Sequence, residues 1–297
     1  MNTESRSFWR RHRDALIAYS IIGPFALWFL LTIGIPLVAG ILLAFFKWNG
    51  MPVMPEWVGL RNFSFFFNSN EYLSSIWKQL FIGGLCLIFN MLISFGLASL
   101  FNIPIRGKGL LRTAYYLPNI AAVSATVAVV VALLIPHGGG LNGLLTKLGL
   151  EPIIWSYSAG WMIFWVVVFY VWRNTGPLAI IWLAGLQSID PTLYEAAKVD
   201  GANRLQLLRY VTLPGLRGIA AFNFIREIIG VMQMYDIVML MTSGGPNGST
   251  DVLMYRIYRD GLKSYNFGMA GASSVILGLL TVLITLVYLR LFLKEEK

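Results

Sequence analysis

DPTLYEAAKVDGANRLQLLRYVTLP, running from Asp190 to Pro214, is a polar, patterned island between long apolar stretches. Asp190 followed by Pro191 starts a helix cleanly, with an N-cap acceptor and a proline at the first helical position. Leu193, Ala196, Ala197 and Val199 give that helix an apolar side, and Glu195 and Lys198 are neighbours three residues apart. Gly201 ends it, because glycine accepts the left-handed backbone that commonly follows a helix. Asn203 can cap a second short helix carrying Leu205, Leu208 and Val211, and Pro214 opens the next apolar run. The spacing predicts two short amphipathic helices, bent at Gly201 and held between long apolar segments.

Outward from this island the chain is strongly apolar. Of 297 residues, 57% are hydrophobic and only 12% charged, against about 25% charged in soluble proteins, and the mean hydropathy is +0.68. Runs at 16–46, 76–101, 110–135, 160–186, 214–241 and 267–292 each reach the ~20 residues that cross a bilayer. The expectation is an all-α, polytopic membrane protein with six transmembrane helices in one bundle. Pro24, Pro36, Pro118 and Pro177 fall in or beside these runs, where neighbouring helices can re-satisfy the backbone. The first run exceeds the apolar region of a signal peptide and reads as a retained helix. The single cysteine, Cys86, allows no intramolecular disulfide. His12 and His137 stand in different loops without partners, which argues against a metal site.

The net charge of +9 raises the question of nucleic acid, and its distribution answers it. One alternating set of segments holds Arg6, Arg10, Arg11, Arg13, Arg106, Lys108, Arg112, Lys198, Arg204, Arg209, Arg217, Arg290, Lys294 and Lys297. The intervening loops hold Lys47, Arg61, Lys78, Lys147, Arg256, Arg259 and Lys263. The excess in the first set places both termini in the cytoplasm, with Arg256, Arg259 and Lys263 a mild exception. Basicity here is topology, not a nucleic-acid footprint. The N-terminal arm is expected to sit on anionic lipid headgroups with Trp9 at the interface. The outer loop Trp48–Tyr72, with Phe63, Phe65, Phe66 and Phe67, reads as a lip at the membrane surface in preference to a ligand-stacking site. Thr242–Gly248 is a dense run of turn signals.

An amphipathic helix pair either lies on headgroups or enters a groove on another protein. The small side chains of Ala196, Ala197, Gly201 and Ala202 favour close protein contact. Glu195-Ala196-Ala197, Asp200-Gly201-Ala202 and Thr212-Leu213-Pro214 resemble the EAA signature of ABC importer permeases. Ala184–Ile189 is similar to the lead-in of the carbohydrate branch of that family, Met241–Pro246 to the turn after its fifth core helix, and Arg112–Pro118 to its third span. The resemblance covers nearly the whole chain. It implies a MetI-like permease subunit of the bacterial cytoplasmic membrane, similar to maltose and glycerol-phosphate types. Its partners would be a second permease, two ATPase subunits and an extracytoplasmic solute-binding protein. The island would be a coupling helix seated in the ATPase cleft through Tyr194, Glu195, Ala196, Ala197, Asp200, Gly201 and Ala202. The chain then divides into residues 1–73 (arm, first helix, outer loop), a core at 74–293 containing the coupling element at 190–213, and a cytoplasmic tail at 294–297. No GxxxxGK[ST] loop is present, and Gly244–Thr250 lacks the lysine that would reach phosphates. The chain is therefore expected to bind no cofactor itself, with ATP and Mg held by the partner ATPase, and not to be an enzyme.

Polar residues also interrupt the fourth and fifth apolar runs. At about 100° per residue, Asn223, Arg226, Glu227, Gly230 and Gln233 fall on one face of the fifth run. Arg173, Asn174 and Thr175 reach similar depth on the fourth, just before Gly176-Pro177, which should break or bend the helix. A charge there costs on the order of 2.5–3.5 kcal/mol or more, so each needs a partner or a cavity. One reading is an internal ion-pair network, such as Arg173 with Glu227. The other is a substrate path of Arg173, Asn174, Thr175, Asn223, Arg226, Glu227, Gly230, Gln233 and Tyr235. The resemblance supports the path, since maltose-type permeases contact substrate from these two helices. The Arg226-Glu227 pair departs from the small or apolar residues commoner in the family, which tells against an ordinary neutral sugar; the two arginines, Arg173 and Arg226, could receive an acidic saccharide, with Glu227 partly cancelling the attraction. The expected function is import of an oligosaccharide or related carbohydrate by alternating access. A secondary carrier relaying protons through Arg226, Glu227 and Asp236 leaves the EAA pattern unexplained. An intramembrane enzyme needs a nucleophile, acid–base or metal constellation, and none is found in the sequence.

Overall fold

The computed structural model describes residues 3–103 and 107–294; Arg106 of the inner turn and the tail beyond Lys294 lie outside them. Helix α1 (Thr3–Phe29) passes through one π-helical turn, Leu30–Gly34, into α2 (Ile35–Leu43). The wide turn comes just before Pro36, which cannot donate to the carbonyl four residues back. A short antiparallel ribbon follows, β1 (Phe46–Lys47) with β2 (Glu56–Trp57), in the register Phe46 to Trp57. Asn62, in α3 (Arg61–Asn68), donates to the carbonyls of Ala44 and Phe46 at 2.8 and 3.0 Å and ties the ribbon down.

The long α4 (Asn70–Asn102) is followed by α5 (Lys108–Ile120) and α6 (Val123–Leu133), which meet at 97°. After the short α7 (Gly140–Lys147) comes α8 (Ala159–Ser188). The polar island forms α9 (Pro191–Val199) and α10 (Arg204–Leu207). A π-helical turn, Leu208–Thr212, leads through α11 (Leu213–Gly215) to α12 (Arg217–Met232). Helices α13 (Asp236–Met241), α14 (Leu253–Tyr258) and α15 (Phe267–Lys294) complete the chain.

Among the described residues, four helices are long and apolar enough to cross a membrane: Ala15–Leu43, Asn70–Asn102, Ala159–Ser188 and Phe267–Phe292. The bent pair α5–α6 makes a fifth if counted as one span. The expected run at 214–241 is divided between α11, α12 and α13, and α12 has 16 residues, fewer than the ~20 of a full crossing. The simple six-rod picture thus gives way to four rods, an elbow and an interrupted helix.

Helices α4 and α8 pack along their length as a spine, with α12 against both and α15 on its far side. Ile82, Cys86, Val166, Tyr170, Val231 and Val238 fill one level of this core, and Ala98, Leu178, Trp182, Leu186 and Leu216 the level nearer α9. Ile228, Leu253, Met269 and Leu277 close the α15 side. The apolar window of Ala15–Leu43 buries nothing within the chain.

Contrary to the break expected at Gly176-Pro177, α8 runs on as helix through Pro177. Gly176 serves a different purpose: a Cβ there would lie 2.3 Å from the Tyr115 carbonyl oxygen, so the position admits the α5 backbone.

Candidate functional site

The island forms as its local signals dictate. Asp190 Oδ1 accepts from the Thr192 amide at 2.9 Å, and this bond holds its carboxylate below the usual range. Gly201 adopts φ +81°, with no atom within 4 Å of where a Cβ would sit. Asn203 Oδ1 accepts from Leu205 and Gln206 at 3.0 Å each while Gln206 Oε1 accepts from the Asn203 amide at 2.7 Å, a complete capping box. The Tyr194 and Thr212 hydroxyls are hydrogen-bonded at 3.0 Å, bracing α9 against the return into α12. Glu195, Ala196, Asp200 and Gly201 are exposed, and Tyr194, Ala197 and Ala202 half-buried. Val199 is 87% and Leu205 72% exposed, so the elbow carries an uncovered apolar side of the kind that marks interaction surfaces.

Within the bundle, the polar residues expected on one face of α12 separate into two sets. Glu227 is 4% exposed, and its Oε1 accepts from Asn90 Nδ2 at 2.8 Å. Asn90 Oδ1 in turn accepts from Thr175 Oγ1 at 2.8 Å, linking α12, α4 and α8. Asn223 is fully buried one turn earlier on α12, and its amide has no partner among the described residues. Arg226 and Gln233 are instead exposed, in line with Phe222 and Ile229. Gly230 lies between the two sets, with the Tyr170 hydroxyl 3.1 Å from its Cβ position. A 100° step separates neighbours such as Arg226 and Glu227, which is enough to send one out and the other in.

On α8, Arg173 takes no part in an ion pair with Glu227. Its guanidinium donates to backbone carbonyls of the α5–α6 elbow, with Nη1 reaching Pro118 O at 3.0 Å and Ala121 O at 2.9 Å, and Nη2 reaching Asn119 O at 3.2 Å. Asn174 Nδ2 returns to the Tyr170 carbonyl at 2.9 Å. Tyr235, in the break between α12 and α13, stacks on Tyr258 with centroids 5.3 Å apart. Asp236 accepts from the amide of Ile237 at 2.8 Å.

Two buried groups escaped the sequence reading. Gln79 on α4 donates to Val231 O at 2.7 Å and accepts from the Met254 amide at 3.1 Å, tying the frayed end of α12 to the start of α14. At the same end of the bundle, Arg256 pairs with Glu71 at 2.8 Å and with Asp251, and stands 4.8 Å over the Tyr72 ring. Arg259 approaches Asp251 at 3.5 Å, and the Tyr72 hydroxyl donates to Asp260 Oδ2 at 2.6 Å. Burial raises the Asp260 carboxyl above its usual range. A polar residue alone in an apolar run is a readable signal for Gln79 and Asn90, but their partners lie 152 and 137 residues away.

Several apolar spans, joined at one point by an exposed helical elbow, define a multi-pass integral-membrane subunit. The family model for the inner membrane component of binding-protein-dependent transport systems matches residues 92–293, and the chain belongs to that family. It is 29% identical to the sulfoquinovosyl glycerol transport system permease of Agrobacterium fabrum, over 97% of this chain and 94% of that one. With the sn-glycerol-3-phosphate transport system permease of Pectobacterium atrosepticum it shares 34% identity, over 79% of this chain and 80% of that one. A chain of a bacterial ABC transporter involved in the import of the acidic polysaccharide alginate has the same fold. The TM-score is 0.85 at 25% identity, covering 98% and 100% of the two chains. The resemblance carried by Glu195-Ala196-Ala197 and its neighbours therefore holds: this is a multi-pass permease subunit of an ABC importer, with an all-α MetI-like fold, and not an enzyme.

Proposed function

We propose that this permease imports an acidic oligosaccharide or related anionic carbohydrate by alternating access, paired with a second permease and driven by two ATPase chains that hold ATP and Mg. An extracytoplasmic solute-binding protein delivers the substrate, as the alginate transporter's complex with a pentasaccharide-bound periplasmic protein suggests by analogy.

The observation that carries the reading is the α9–Gly201–α10 elbow, both of whose helices are capped at their N-termini, yet apolar and open along Val199 and Leu205. A capped, rigid element with an uncovered side suits transmission of force to a protein groove better than adsorption on lipid. Glu195, Ala196, Asp200 and Gly201 present the contact to the ATPase, with Tyr194, Ala197 and Ala202 bracing it from behind. The charge distribution orients the elbow and both termini to the cytoplasm.

Substrate passes along the open face of α12 that carries Arg226, Gly230 and Gln233, with Asn174 of α8 as a further contact and the facing permease as the other wall. Glu227 is turned into the bundle and held by Asn90, so Arg226 presents its charge to that face with little opposition. Relatives named for sulfoquinovosyl glycerol, sn-glycerol-3-phosphate and the acidic polysaccharide alginate are in keeping with this choice, while one named for trehalose and maltose shows that the family also takes neutral sugars. Cross-linking from a cysteine at Asp200 in native membranes tests the coupling role. Capture of the ATPase chain, with uptake that needs ATP, is expected; capture of lipid alone would overturn it.

A further inference from the structure

Between Ile120 and Val123 the chain turns through 97° inside the apolar layer. Such a turn strands the last carbonyls of α5, which no following amide of the same helix can reach and no water is at hand to satisfy. Arg173 of α8 occupies that gap, donating to the carbonyls of Pro118, Asn119 and Ala121 at 2.9–3.2 Å. The negative end of the α5 dipole is also where a cation is favoured. Three residues further along α8, Gly176 lets the Tyr115 backbone seat directly on the helix. Helix α5 is thus fastened to α8 at two successive levels.

The ends of these helices give the fastening a use. Helix α8 ends at Ser188, and only two extended residues, Ile189 and the N-cap Asp190, separate it from α9. Helix α6, beyond the elbow, packs against α13. A continuous path of packed elements therefore leads from the exposed elbow, along α8, through Arg173, to α6 and α13 at the opposite end of the bundle.

We propose that Arg173 is a positioning residue for transport: it makes α8 and the α5–α6 elbow move as one body, so that displacement of α9 is delivered across the membrane to α6 and α13. This rests on the coupling role proposed above for α9. Arginine suits the task because its planar fork spans several acceptors at once, whereas lysine offers its donors from a single point and glutamine only two without charge.

The test uses the assembled importer, with both permeases, both ATPases and the binding protein, in liposomes. Cys86 is replaced by alanine and a reporter cysteine stands at Ile135, just beyond α6. Labelling by a membrane-impermeant maleimide is followed with and without ATP and vanadate. Arg173→Gln should retain binding-protein-stimulated ATP hydrolysis, lose the nucleotide-dependent change in labelling, and import about tenfold less substrate per ATP, within the usual range for coupling between distant sites. Arg173→Lys should recover part of that loss. Normal uptake per ATP and normal labelling in Arg173→Gln would overturn the proposal, as would equal loss of uptake and hydrolysis in both variants. Should Arg173→Gln fail to assemble, spin labels at Ile120 and Ile180 in the importer with Arg173 intact decide the matter. A separation that stays constant through the nucleotide cycle supports the fastening, and one that changes refutes it. If the parent importer shows no nucleotide-dependent change at position 135, the coupling role of α9 fails first and takes this inference with it.

Discussion

Asn90 and Glu227, 137 residues apart in sequence, meet at 2.8 Å between α4 and α12. The amide satisfies a buried carboxylate on one side and accepts the Thr175 hydroxyl on the other. Three helices are thereby joined through one side chain at a depth where water is scarce. The contact also decides the direction of its neighbour, because fixing Glu227 inward turns Arg226 to the open face.

Removing the amide should therefore loosen the bundle. Asn90→Leu keeps the branched shape but removes the Asn90 donor from Glu227, an expected loss of about 1.5–3 kcal/mol, the usual weight of a hydrogen bond to a charged group. Glu227→Gln retains an acceptor and should cost less. Thermal unfolding of the purified importer in detergent would rank the two, and a larger loss in Glu227→Gln would contradict the arrangement.

How much of this was legible in sequence depended on how far apart the cooperating residues lie. The caps at Asp190, Gly201 and Asn203 act within three residues, and each forms as read. The apolar runs needed only composition. The elbow after Ile120 was invisible because the group that satisfies it, Arg173, comes 52 to 55 residues later. Helical period placed Asn223, Arg226 and Glu227 within a sector of α12, but period gives angles between side chains, not which angle faces the core. Gly176 was misread for a related reason: beside Pro177 it looks like a breaker, and only the Tyr115 backbone packed on it reveals a crossing point.

Charge selectivity should reside in Arg226. Arg226→Gln is expected to raise KM for an anionic saccharide about tenfold or more, the loss of one charge-assisted hydrogen bond, with ATP hydrolysis still stimulated by the binding protein. Uptake assays with paired anionic and neutral saccharides would show it. Equal effects on both would remove the electrostatic role.

Arg256 holds the end of the bundle opposite α9. Its side chain is 7% exposed and that of Asp251 5%, whereas Glu71 is 76% exposed. Arg256→Met leaves the buried Asp251 with only the more distant Arg259, 3.5 Å away, at a cost below the about 3–5 kcal/mol of a fully broken buried pair but above that of the exposed partner. Glu71→Gln should cost under about 1 kcal/mol, because water screens an exposed partner. Denaturation midpoints of the two variants should differ accordingly.

Asp260 gives the same region a pH dependence. Its carboxyl is raised above the ordinary value, with burial the main cause. The folded chain therefore binds the proton more tightly than the unfolded one. The associated stability is fully present below the ordinary carboxylate pKa and is lost as pH rises through the raised value. Asp260→Asn, which still accepts from Tyr72, should flatten this fall and leave the protein more stable than its parent at neutral pH. Melting curves taken from acid to neutral pH would reveal it, and parallel profiles for the two proteins would count against it.

Gly201 separates folding from coupling. Its φ of +81° costs any other residue about 1–2 kcal/mol, but no neighbour lies within 4 Å of a Cβ there. Gly201→Val should therefore strain only the elbow and leave the bundle assembled in the membrane. What it changes is the shape offered to the ATPase: a branched side chain fills the open space where the docking groove must close, and the bend between α9 and α10 shifts. ATP hydrolysis should continue at a basal rate while binding-protein stimulation and uptake fall together. Gly201→Ala, smaller and without the branched Cβ that makes valine the more strained at positive φ, should fall between parent and valine. Normal binding-protein stimulation and uptake in both variants would count against the docking role.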